Sequence, residues 1–181
     1  AVALFHAVGV TPEAHTLEGA FQGDDPEQVV DVHLSDLMAA RSDMSTAEEG
    51  TGLDAVVLGC PHFSYAEFAQ LAEAIQSNGR LLHPDVRLIV LTSQASYALL
   101  QRSDLMAPIV DFGVEIVLDT CVFLSPILSS DVRVIMTNSG KCAYYAPGEL
   151  DVQVAFGSLR DCVRSAMEGV VCREEALWKE P

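Results

Sequence analysis

Cys60 and His62 stand two residues apart in Leu58-Gly59-Cys60-Pro61-His62, putting a thiol and an imidazole at one turn. A thiolate is a nucleophile and a soft-metal ligand, and an imidazole that titrates near neutrality is suited to general acid or base work. Cys121, in Asp119-Thr120-Cys121, is a second thiol in a comparable setting. Two such thiols at strand ends can converge on a soft-metal or iron–sulfur centre. Phe63 and Leu124 stand three residues beyond the two cysteines, so zinc-knuckle and ferredoxin spacings are absent. A third stretch, Thr137-Asn138-Ser139-Gly140-Lys141, gathers two hydroxyls, an amide, a glycine and a cation. It has the makings of a loop that holds a carboxylate or phosphate. It is not a phosphate loop, because Ile135 occupies the place of the second glycine. Each stretch also has a plainer reading: packed apolar thiols, a capping or surface histidine, and an ordinary polar turn. His6, His15, His33 and His83 have no partner legible in the sequence, and Cys162 and Cys172 fall on or after the last helix, where burial is expected.

These residues need elements to position them, and the pattern around them supplies strands. Apolar runs at Ala55 to Leu58, Arg87 to Leu91, Glu115 to Leu118, Val132 to Met136 and Val152 to Phe156 read as strands. Between them, Ser64 to Ser77 and Ser93 to Arg102 read as helices, and a final helix is expected from Ser158 to Gly169. Ser64 and Glu67 have capping-box spacing, Phe68, Leu71, Ala72 and Ile75 share one helical face, and Asn78-Gly79 is a stop signal. The alternation predicts an α/β fold. Every candidate group follows a strand, so a parallel sheet gathers them along one edge, outside the carboxyl ends of the strands. The short Ser125 to Asp131 connection leaves the direction of the fourth strand open.

Upstream, Val2 to Val10 is strand-like, and Thr11-Pro12-Glu13 reads as a helix start with Thr11 as the N-cap, running to about Phe21. Gly23 to Pro26 is a turn cluster, Val29 to Val32 a short apolar segment, Ser35 to Asp43 a helix and Ser42 to Gly52 a loop; Arg173 to Pro181 reads as a loose tail. Ten Lys and Arg against 26 Asp and Glu give a formal charge of −16 over 181 residues. Such a charge repels phosphate backbones and anionic lipid, which argues against nucleic-acid and membrane partners. No apolar run approaches the roughly 20 residues of a bilayer span. Five dispersed cysteines without a leader suggest a reducing, cytoplasmic setting. The apolar start without an initiator Met reads as an entry into the middle of a domain.

Gly9 to Ala14 (Gly-Val-Thr-Pro-Glu-Ala), Leu58 to His62, Asp119 to Cys121 and Met136 to Tyr145 (Met-Thr-Asn-Ser-Gly-Lys-Cys-Ala-Tyr-Tyr) occur in an order and spacing that resemble the aconitase X family. The resemblance covers nearly the whole chain and corresponds to the carboxyl-terminal portion of that family's large catalytic subunit. It implies an aconitase-like three-layer αβα domain with a mostly parallel sheet over residues 54–172, preceded by the end of another α/β subdomain at 1–53 and followed by the tail at 173–181. It further implies an iron-dependent hydro-lyase acting on a small hydroxy acid, cis-3-hydroxy-L-proline ahead of phosphomevalonate, with an iron or iron–sulfur centre as Lewis acid. Cys60 and Cys121 then correspond to metal ligands. Leu124 stands where ordinary aconitases carry a further cysteine, so the third ligand is either Cys142 or a residue of the portion beyond this chain. Asn138, Ser139, Gly140 and Lys141 become substrate-binding, Thr11 a second contact to substrate, and His62 a proton carrier or orienting group. A small swivelling subunit or domain, the expected source of the base, is the implied partner, and this portion alone is expected to be inactive. Two other readings stand beside it: a metal-free ligand-binding or subunit-assembly domain, and a thiol enzyme in which a helix N-terminus activates Cys60.

Overall fold

The computed structural model describes residues 4–79, 81–174 and 178. The chain forms two compact units, Ala1–His33 and Leu34–Pro181. Among its described residues the first carries one short helix, α1 (Leu17–Phe21). Its N-cap is Thr16, whose hydroxyl accepts the Gly19 N–H, so the helix expected from Thr11 begins later. Turns pre-empt that earlier start, because the Ala14 N–H bonds the Thr11 carbonyl and the Gly9 N–H bonds the Ala14 carbonyl. Residues 4–10, expected to be strand-like, are irregular and then turn; residues 1–3 lie outside the described residues.

The second unit contains α2 (Leu34–Asp43), β1 (Ala55–Phe63), α3 (Tyr65–Asn78), β2 (Arg87–Thr92), α4 (Gln94–Leu100), α5 (Met106–Phe112), β3 (Val114–Leu118), β4 (Val134–Thr137), α6 (Gly140–Leu150), β5 (Gln153–Phe156) and α7 (Leu159–Glu168). The strands form one sheet in the order β3-β2-β1-β4-β5, with every pairing parallel, including that of β4. The chain winds outward from β1 to β3 and then returns to place β4 on the other side of β1. The crevice between β1 and β4 is therefore the point where the winding reverses, the usual seat of a ligand in such sheets.

Both faces of the sheet are covered, which is why its strands read as nearly unbroken apolar runs. Val56, Leu58, Leu88, Val90 and Met136 point to one side and pack with Phe68 and Leu71 of α3, Ile109 of α5 and Val163 and Ala166 of α7. Their neighbours Ala55, Val57, Leu91, Ile135 and Val154 point to the other and pack with Cys142, Ala143 and Ala146 of α6 and with Val122 and Val132. This is a three-layer αβα arrangement whose second layer is thinner, a helix and a loop. The segment expected as the loop Ser42 to Gly52 covers the free edge of β5: the Thr46 and Ala47 N–H groups donate to the Val154 carbonyl, and the Thr46 hydroxyl accepts the Val154 N–H. An edge paired in this way is closed to strands from other chains.

α5 and α6 were not expected from the pattern. α5 is short, with no side-chain cap, and Pro147 and Gly148 interrupt the helical signal of α6. Of the expected loose tail, Arg173 and Glu174 are held, their N–H groups donating to Glu49 and Asp161. Trp178 lies with its ring centroid 4.9 Å from the Arg41 guanidinium carbon. Among the described residues no helix is long and apolar enough to cross a membrane.

Candidate active site at the β1–β4 crevice

The thiol turn is built inside β1 rather than after it. Leu58 pairs with Val90 and Phe63 with Thr92, so Gly59 to His62 bulge out over a single partner residue. Gly59 has φ +77°, and a Cβ there would stand 2.0 Å from the Leu91 carbonyl oxygen. Only glycine lets the strand leave the sheet at this point. The Cys60–Pro61 peptide is cis. The Thr92 hydroxyl donates to the Phe63 carbonyl at 2.6 Å and ties the strand back before α3 begins. α3 then opens with the expected capping box, Ser64 with Glu67.

Opposite, Ser139 caps α6. Its hydroxyl accepts the Cys142 N–H and donates to the Cys60 carbonyl, so one side chain fixes a helix start and the thiol turn together. The polar stretch Thr137 to Lys141 is thus the entry of a helix, and Ser139 is engaged with backbone on both sides of the crevice it lines. Gly140 and Lys141 are the first two helical residues, and Lys141 is exposed. A cation in the first turn opposes the helix dipole and calls for a reason other than helix stability.

Cys142, in that same first turn, brings its buried thiol against Cys60. The Cys60 pKa is lowered from 9.0 to about 6, chiefly by the hydrogen bond from Cys142; burial opposes the shift, and the charge of Lys141, a hydrogen bond from Ser139 and the charge of His62 add to it. The same bond, with burial, pushes the Cys142 thiol far up. Cys60 is therefore a thiolate near neutrality and Cys142 its protonated partner. Cys121 is half-buried on the loop after β3, near enough for its charge to act on Cys142. That loop is held by His62, whose Nε2 lies 3.2 Å from the Thr120 carbonyl oxygen. A carbonyl only accepts, so Nε2 carries the proton there and Nδ1 is the basic nitrogen. Asp119, with φ +50°, accepts the Gln94 N–H at the start of α4.

Gly59, Cys60, Pro61, His62, Glu67, Asn138 and Ser139 line a cavity of about 190 Å³. Asn138 also lines a larger cavity, about 430 Å³, shared by Arg41, Phe156, Leu159 and Trp178. Glu67 was expected only as a cap; its place in the cavity wall follows from the bulge, which no periodicity reveals. Thr11 lies in the first unit, its hydroxyl accepting the Ala7 N–H. As donors, a thiolate and a thiol in contact suit a soft metal or an iron–sulfur centre. Among the described residues no group of three or more His, Cys, Asp and Glu side chains is arranged to enclose a metal ion. This chain thus brings two thiols together, with Cys121 near them.

The family model described as "Aconitase X third domain" matches residues 53–168. The chain belongs to the aconitase X family. Within it, the chain is 41% identical over 170 residues to a cis-3-hydroxy-L-proline dehydratase of Pseudomonas aeruginosa, covering 93% of this chain and 29% of that protein. It is 31% identical over 169 residues to the phosphomevalonate dehydratase large subunit of Methanosarcina mazei, covering 93% of this chain and 38% of that one. The holo-form crystal structure of Thermococcus kodakaraensis aconitase X superposes with a TM-score of 0.69 at 29% identity, over 78% of this chain and 35% of that one. The aconitase X chain described here thus spans well under half the length of the relatives it matches.

Proposed function

We propose that this aconitase X chain is part of a hydro-lyase that dehydrates a small hydroxy acid, cis-3-hydroxy-L-proline in the first instance. The observation that carries the reading is the Cys60–Cys142 thiol pair at the β1–β4 crevice, with Cys60 lowered to about 6 beside Lys141. The 41% identity to a protein named as that dehydratase supports the choice of substrate, against 31% to a phosphomevalonate enzyme. Cys60 and Cys142, with Cys121, are the residues that would hold an iron or iron–sulfur centre. Such a centre supplies a Lewis acid for the leaving hydroxyl. The chain's own part is to hold Cys60 as a thiolate, to draw the acid group of the substrate toward Lys141 and the start of α6, and to accept a proton at His62 Nδ1. Asn138, in the cavity wall, orients the substrate by its amide. A companion subunit or domain completes the enzyme, in line with the "large subunit" in the name of the M. mazei relative.

The test is a dehydration assay on the full-length enzyme with both substrates, together with iron and sulfide analysis after anaerobic purification. Water release from the hydroxyproline, and its loss with iron in Cys60→Ser, is the expected result. Iron-free protein that dehydrates, or a Cys60→Ser variant of unchanged rate, would sink the reading.

A further inference from the structure

Two side chains of opposite charge flank the thiol turn from different helices. Lys141, at the start of α6, acts electrostatically on Cys60. Glu67, in the first turn of α3, lines the cavity with Cys60, His62 and Asn138. The Ser64 N–H and hydroxyl both donate to Glu67 Oε2 at 2.7 Å, so the capping box engages one carboxylate oxygen and leaves Oε1 outside it. Among the described residues Glu67 forms no ion pair. A glutamine closes the same box, so capping does not require a charge at this position. The cavity therefore has an acidic wall on α3, and Lys141, outside its lining, is a cation close enough to act on the Cys60 that lines it. A carboxylate and a cation flanking one turn match the two charges of a zwitterion, and in a cyclic α-amino acid the ring ammonium is bonded to the carbon that bears the acid group.

We infer that Glu67 binds the ring ammonium of the substrate and thereby selects a cyclic amino acid over a purely anionic hydroxy acid. The inference rests on the dehydratase reading above and names the group that sets its substrate class. A secondary ammonium offers two N–H donors to the carboxylate, while the acid group lies toward Lys141. A substrate with phosphate and carboxylate but no amine gains nothing from Glu67 and is repelled by it.

The test compares two ligands of the same ring size and acid group, L-proline and its all-carbon counterpart cyclopentanecarboxylate, as binders of the full-length wild-type enzyme and its Glu67→Gln variant. The expected result is a loss of roughly ten-fold or more for L-proline, the scale of a charge-assisted hydrogen bond, with the carbocycle within about two-fold, a shift too small to carry such a bond. Glu67→Asp, which keeps the charge and can still cap, is expected to fall between wild type and Gln and serves if the Gln variant unfolds. Equal shifts for both ligands, no shift, or wild-type enzyme that binds the carbocycle as well as L-proline would overturn the inference. The two readings fail separately. An enzyme that prefers L-proline through Glu67 yet releases no water from hydroxyproline overturns the dehydratase assignment alone.

Discussion

Cys60 is 8% exposed, an environment that ordinarily raises a thiol pKa, yet its pKa falls to about 6. The hydrogen bond from Cys142 outweighs the desolvation, and Lys141 adds to it. In metal-free protein the thiolate fraction of Cys60 thus climbs as pH rises through about 6, whereas an unperturbed thiol climbs about three units higher, from the reference value of 9.0. Pulsed iodoacetamide with mass-spectrometric readout is expected to show Cys60 reacting with that lower midpoint. Cys142→Ala should move the midpoint up, because it removes the donor, and Lys141→Met should move it up by less. A common midpoint for all five cysteines would contradict this account. At this scale the sequence was informative where a residue's neighbours in the chain are its neighbours in space. Cys60 and His62 could be named at once. Cys142 entered only through family resemblance, because its contact with Cys60 depends on a helix whose start reads in the sequence as an anion-holding loop or a polar turn. That Ser139 caps α6 could not be read either, since a hydroxyl in a polar stretch looks the same whether it meets a ligand or caps a helix.

Among the elements, β1 bears the most demanding local geometry. Gly59→Ala would force a side chain into positive φ and drive its Cβ against the Leu91 carbonyl, which is backbone and has no room to yield. Strain and overpacking together should cost about 3 kcal/mol or more, measurable as a lowered urea midpoint with unchanged slope. A loss under about 1 kcal/mol, the range of tolerated repacking, would show that the bulge can relax. The five strands were legible because a sheet buried on both faces writes uninterrupted apolar runs, and α3 and α7 because both ends of each are capped by Ser and Gly. α6 was hidden by Pro147, tolerated here near the carboxyl end. The helix expected at Thr11 shows the converse error: a Thr-Pro-Glu start has the right chemistry, but local turns satisfied the same backbone groups first. The direction of β4 could not be read, because a short connection is compatible with either sense until the whole sheet order is known.

For the molecule as a whole, the position of β4 has a consequence in time. Ala55 pairs with Arg87 on one side and with Ile135 on the other, the second partner more than twice as far along the chain. Closing the longer loop costs more chain entropy before any contact rewards it. The β1–β2–β3 half should therefore gain protection first, and β4 with α6 dock afterwards. Pulsed hydrogen exchange during refolding is expected to protect β2 amides ahead of those of β4, while Cys60 stays open to a thiol pulse until the later step; simultaneous protection would refute the order. The single hydroxyl of Ser139, reaching back 79 residues to the Cys60 carbonyl, is what closes that interval. On a ribosome the order is imposed by synthesis itself: the strand bearing Cys60 emerges well before the helix that both covers this thiol and makes it acidic. Every new copy therefore passes through a period in which Cys60 is uncovered but has not yet acquired its low pKa.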